Sequence, residues 1–149
     1  MSNCIILSGG TWSPSEWGKI KRSLGPYRIA SALEDSGYSS FVLEYCEEFT
    51  SDEIIKVISN HIGKETLWFG FSSTFFWPEK KEEKDSSNQM YYNSEYSEVL
   101  KVIDYVKQNS KAKIIYAGAK VPFYIIDENI DYYITGNADN SIINVTDFL

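Results

Sequence analysis

Hydrophobic positions along the chain fall in short runs whose spacing alternates between two periods. "NCIILS" (3–8) is a solid apolar run closed by Gly9-Gly10, which predicts a strand buried on both faces. "PYRIASALEDSG" (26–37) sets Ile29, Ala30 and Leu33 on one helical face, with Pro26 in the first turn and Gly37 as the stop. "SSFVLEYC" (39–46) reads as a second strand. "TSDEIIKVISNHIG" (50–63) opens with a Thr/Ser cap, places Asp52 and Glu53 at the positive end of a helix, and stripes it with Ile54, Ile55, Ile58 and Ile62. "TLWFGFSS" (66–73) is a third strand. "SEYSEVLKVIDYVKQN" (94–109) is a helix capped by Ser94, with Val99, Val102, Ile103 and Val106 inward. "AKIIYAG" (112–118) is a fourth strand, "VPFYIIDEN" (121–129) a short helix, "IDYYITG" (130–136) a fifth strand and "ADNSIINVTDFL" (138–149) a last helix.

Strictly alternating strands and helices predict an α/β fold, a parallel sheet covered on both faces. The expected architecture is a three-layer, doubly wound, five-stranded sheet in the flavodoxin-like order 2-1-3-4-5, formed by residues 1–149 as a single domain. Ligands of such sheets sit beyond the carboxyl ends of the strands, near the switch point between strands 1 and 3. The residues just after each strand are therefore the ones to read.

After strand 1 stand Ser8, Gly9 and Gly10, then about fifteen residues where two to six are usual. That loop carries Trp12, Trp17, Lys19, Lys21 and Arg22, and Arg28 follows in the helix. Paired glycines let backbone N–H groups approach an anion or a flat ligand, and the local positive charge suits a phosphate or carboxylate. After strand 3 come Gly70, Ser72, Ser73 and Thr74, whose hydroxyls suit ring nitrogens or phosphate oxygens. Phe75, Phe76 and Trp77 follow, either paving a pocket for a planar molecule or serving as ordinary core. The polar stretch 79–90 lacks periodicity and reads as a mobile lid or disordered insert. Strand 4 ends in Gly118 and Ala119, and strand 5 in Gly136, Asn137 and Asp139. Small residues at two adjacent strand ends predict a slot.

Composition narrows the chemistry. The 149 residues are 43% hydrophobic and 15% aromatic, enough for an ordered core, and carry a formal charge of −7. That charge argues against nucleic acid or an anionic membrane as partner. Neither a long apolar span nor a basic-then-apolar leader is present, and Cys4 and Cys46 read as buried free thiols inside strands, so a cytoplasmic location is expected. His61 is the single histidine and belongs to the opposite rim of the sheet. A Ser-His-Asp triad, a Cys-His dyad or a multi-His metal site at the cleft is thereby excluded. The Gly-Lys-Ser/Thr phosphate loop and the Gly-x-Gly-x-x-Gly fingerprint are absent too, and Ser8 and Ser72 stand where a phosphoacceptor receiver needs aspartates. By elimination the chain reads as a binding module.

"GPYRIASALEDSGYSSFVLEY", "LWFGFSSTFF", "IIYAGAK" and "DYYITGNAD", in this order, resemble the cobalamin-binding domain at the N-terminus of many radical S-adenosylmethionine enzymes. Arg28, Ile29, Ala30, Leu33, Gly37 and Tyr38 match the family's first-helix segment. The resemblance implies that Ser72 and Ser73 meet the cofactor's nucleotide tail and that Gly118 and Ala119 take the Gly-Gly positions after strand 4. It puts Gly136 and Asp139 on the Gly-x-Gly-Glu turn after strand 5, from which Asn137 and Ala138 depart. It also implies that the first helix and the loop before it flank the tail slot.

Two departures from the family pattern carry weight. The Asp-x-His-x-x-Gly motif that supplies cobalt's lower ligand is missing, so cobalamin is expected without a protein His ligand. Two cysteines cannot hold the family's iron–sulfur cluster, so the radical S-adenosylmethionine barrel is expected as a partner domain, in the same longer chain or separate. Leu149 falls where a linker to that barrel would begin. A flavin-binding, flavodoxin-like redox module and a ligand-free interaction domain of the same fold stand as alternatives.

Overall fold

A computed structural model describes residues 2–9, 24–73, 75, 96–118, 127–136 and 138–149. Gly10 and the loop after it, the 79–90 insert, Ala119, Asn137 and positions 121–126 of the expected fourth helix lie outside the described residues.

The solid apolar runs become strands because a parallel sheet with helices on both sides buries every residue of its central strands. β1 (Cys4–Leu7) is wholly buried, and β3 (Trp68–Ser72) is buried up to its last residue. β2 (Ser40–Leu43) and β5 (Tyr132–Thr135), at the two edges, are less covered, and β4 (Lys113–Gly118) completes the sheet. The order is β2-β1-β3-β4-β5 with every pairing parallel, as the sequence predicts for a flavodoxin-like fold.

Strand alternation sorts the core into two halves. Ile5, Leu7, Phe69, Phe71, Ile114 and Tyr116 face α2 (Ser51–Ile58) and α3 (Tyr96–Asn109). Cys4, Ile6, Trp68, Ile115 and Ile134 face α1 (Leu24–Asp35) and α4 (Asp139–Phe148). Burying each large side chain contributes about 1.5–3 kcal/mol of transfer free energy. Gly70 is required by close approach, since a Cβ there would stand 2.7 Å from the Trp68 ring. Trp68 is held in turn by its indole N–H, which donates to Thr146 Oγ1 at 2.9 Å inside the core.

Three boundaries differ from the sequence reading by more than two residues. The second strand stops at Leu43, because Tyr45 turns into the left-handed region (φ 57°) and a 3-10 turn follows at Cys46–Glu48. Cys46 is therefore buried outside the strand, its N–H donating to the Ser8 carbonyl at 3.1 Å. α2 begins with the expected Thr50 cap, a full capping box with Glu53, but ends at Ile58 instead of running to residue 63. The Ser59 hydroxyl and the Asn60 amide both donate to the Lys56 carbonyl, tightening the chain into a turn that still buries Ile62. Finally, 127–129 form a turn instead of a helix end. The Asp127 side chain accepts from Asn129 N–H at 2.8 Å and its carbonyl from Ile130 N–H at 3.1 Å.

Candidate functional site at the carboxyl edge of the sheet

Parallel pairing brings all five carboxyl ends to one edge. The last fully apolar level across the sheet is Leu43, Leu7, Phe71, Tyr116 and Tyr133. One residue further the side chains shrink on β1, β3 and β4, where Ser8 follows Leu7 and Ser72 pairs with Ala117, while β5 still carries the buried Ile134 beside Ala117. The next level is Ser73, Gly118 and Thr135, and Gly136 closes the row. Ser8, Ser72, Ser73, Gly118 and Gly136 thus stand along one edge. Continuing the alternation, Ser72 and Ala117 fall on the α1/α4 side, where Ala117 packs against the core.

Each of these residues has definite surroundings. Ser8 is fully buried and carries the sheet one bond further, its N–H donating to Leu43 O at 2.9 Å and its hydroxyl to Gly9 O at 3.2 Å. Ser72 is half-buried, and its carbonyl accepts from Phe75 N–H at 2.9 Å. Ser73 is buried, with its N–H on Ala117 O at 2.8 Å. Gly118 (φ 141°) lies against it: an added Cβ would stand 2.2 Å from Ser73 Oγ, so the serine fills the space a side chain would need. Gly136 (φ 77°) differs, with no described residue within 4 Å of where its Cβ would be. Among the described residues, the open part of the edge is therefore at Gly136.

Asp139 opens α4 and is engaged by the Arg28 guanidinium of α1. The sequence offers Arg28 as a first-helix match and a local positive charge and Asp139 as a site residue; the fold makes them a pair. Tyr45 escapes sequence reasoning altogether, since a tyrosine in the left-handed region has no signature there. Beside it the Tyr27 hydroxyl of α1 donates to Glu44 Oε2 at 2.9 Å, tying the start of that helix to the end of β2. Phe75 is core, stacked 6.3 Å from Phe71, whereas Phe76 and Trp77 lie outside the described residues. A shallow depression between α2 and α3, floored by Phe75, Val99 and Val102, offers one carboxylate, Glu98. That group already accepts from Lys101 at 2.6 Å and Ser51 at 2.8 Å, and both bonds hold it below the usual carboxylate range.

Of the two thiols and the imidazole, Cys4 and His61 lie toward the amino edge, whereas Cys46 sits beside Ser8 at the carboxyl edge. Burial pushes the Cys4 thiol up to about 12 and raises Cys46 as well, so both stay protonated at neutral pH. His61 lies at the amino edge, its carbonyl accepting from Ser2 N–H at 2.9 Å and its ring stacked 3.6 Å from Phe41. Desolvation lowers its pKa. Among the described residues no group of three or more His, Cys, Asp or Glu is arranged to hold a metal ion, and no helix is long and apolar enough to cross a membrane.

A flavodoxin-like α/β fold whose carboxyl edge carries small and hydroxyl residues is the class these features define. No protein-family model and no curated protein matches the chain. Solved structures do. The radical S-adenosylmethionine methyltransferase TsrM from Kitasatospora setae, with cobalamin and a [4Fe-4S] cluster bound, shares the fold over 99% of this chain at TM-score 0.63 and 14% identity. The same enzyme with tryptophan substrate and a S-adenosylmethionine analogue bound matches 98% of the chain at TM-score 0.62 and 13% identity. The match occupies 24% and 25% of those chains, so this chain spans about a quarter of their length.

Proposed function

We propose that this chain is a cobalamin-binding-type accessory domain of a radical S-adenosylmethionine enzyme, non-catalytic on its own. One observation carries the reading: a fold shared with a cobalamin-bound enzyme of that kind steps down, on three neighbouring strands, to small residues at its ligand edge. The residues suit the group. Ser72 and Ala117 border the α1/α4 side of the edge, Ser73 fills behind Gly118, and the space in front of Gly136 admits a ligand atom where any other residue would project a side chain. Ser8, Gly9, Ser72, Ser73, Gly118 and Gly136 would hold the nucleotide tail, with the Arg28–Asp139 pair beside them; Gly10 and Ala119 belong to the same proposed set. Bound cobalamin would supply alkyl-transfer or redox chemistry at cobalt. This chain's part is to bind and orient it, and His61, on the far edge, would give cobalt no imidazole. The barrel with its iron–sulfur cluster would be a partner domain, and the cytoplasm is the compartment that suits two buried thiols.

Absorbance titration of the protein with hydroxocobalamin, and separately with FMN, tests this. A saturable change in the corrin bands with none in the flavin bands is expected. Flavin binding alone would replace the reading by the redox-module one. Binding of neither, with the barrel domain also present, would leave an interaction domain of the same fold.

A further inference from the structure

α4 is anchored unequally along its length. Near its carboxyl end Thr146 is buried, accepts the Trp68 indole N–H at 2.9 Å and donates to Ile142 O at 2.6 Å. One residue on, Asp147 accepts from the Tyr38 hydroxyl at 2.7 Å. The opposite end, beside Gly136, has no capping side chain: Ala138 is the N-cap, and it and Ile142 are buried in the same core cluster as Ala30 and Leu33 of α1. Besides that apolar contact, the Arg28–Asp139 ion pair links this end to α1, with the arginine side chain 67% exposed and the aspartate 29%. The pair therefore crosses from α1 to α4 at the edge where no described residue stands within 4 Å of a Cβ on Gly136, while the side-chain hydrogen bonds of Thr146 and Asp147 lie two turns away.

We infer that Arg28 and Asp139 are positioning residues, a strap that sets the gap between α1 and α4 at the sheet's carboxyl edge. A ligand part inserted beside Gly136 between these helices needs that gap. The pair suits adjustment, since an exposed ion pair contributes little and exchanges readily with water, whereas the Trp68–Thr146 bond is buried and fixed. The width of the gap at the amino end of α4 then decides whether a nucleotide tail fits. The ligand half of this inference rests on the cobalamin reading above; the strap itself does not.

Hydrogen exchange at the Ile142 amide, which makes the first intrahelical bond of α4 to Ala138 O at 2.8 Å, tests the strap without any ligand. Arg28→Met and Asp139→Asn should each speed exchange there by about two- to five-fold, the range an exposed pair supplies, with Leu149 unchanged. The double variant should exchange no faster than either single one. Unchanged exchange at Ile142 in both singles, or an equal rise along all of α4, would overturn the strap. In a second arm cobalamin is compared with cobinamide, which lacks the nucleotide tail. Both single variants should shift the ratio of the two affinities in the same direction by about two- to five-fold. Opposite shifts, weaker for Arg28→Met and tighter for Asp139→Asn, would make Arg28 a direct ligand contact and overturn the positioning role. If the wild type binds neither corrinoid, the functional reading fails and the exchange result alone decides the strap.

Discussion

Gly118 and Ser73 are in direct apposition at the carboxyl ends of β4 and β3. A methyl group on the glycine would meet the serine hydroxyl at 2.2 Å and its Cβ at 3.1 Å, and the glycine's φ of 141° is one that side chains rarely adopt. Gly118→Ala should therefore cost stability by itself, on the order of 1–3 kcal/mol from strain and overpacking combined. Ser73→Gly in the same protein should recover the overpacking part and leave the backbone part. Urea denaturation of the three variants measures this; a Gly118→Ala protein as stable as wild type would show that the contact relaxes freely.

Gly136 permits a cleaner probe of the site, because no described residue stands within 4 Å of its Cβ position and its φ of 77° is near the left-handed region that asparagine tolerates. Gly136→Asn should fold with a melting temperature close to wild type. It should weaken cobalamin binding at least about tenfold by placing an amide in the space the ligand needs, a loss of about 1.4 kcal/mol. Undiminished affinity in a folded variant would move the site away from β5.

Trp68 and Thr146 make the buried hydrogen bond between sheet and last helix. Thr146→Val keeps the shape but leaves the indole N–H without its partner, which should cost about 1–3 kcal/mol. Chemical denaturation reads this directly, and a neutral result would mean that water reaches the indole.

His61 predicts a pH dependence unrelated to the site. Desolvation against its surroundings depresses its folded pKa, so the unfolded chain binds more protons as pH falls. Its contribution to stability is full above the unfolded value of about 6.5 and is lost as pH drops through the lower folded value. Thermal melts between neutral and mildly acidic pH should show this decline in wild type and a flatter profile in His61→Gln. An identical slope in both would assign the dependence to carboxylates.

Sheet order, the two-faced core and the row of small residues are legible in the sequence because each depends on a run of neighbouring positions. "CIIL" and "WFGFS" can only be central strands, and the Thr50–Glu53 capping box declares the start of α2. Less legible are the ends set by bonds that periodicity does not register. Cys46 leaves its strand to bond Ser8, and the turn at 127–129 is made by the Asp127 side chain bonding backbone two residues on.

By itself, then, the sequence determined which segments are strands, which are helices and which strand ends carry serine and glycine, since periodicity and composition act locally. Only the tertiary structure decided that Ser73 fills the space at Gly118 while no described residue fills that at Gly136. It likewise made Arg28 and Asp139, 111 positions apart, one ion pair across two helices. Space and charge pairing are properties of surfaces brought together by the sheet, and such surfaces exist only once distant residues share an edge.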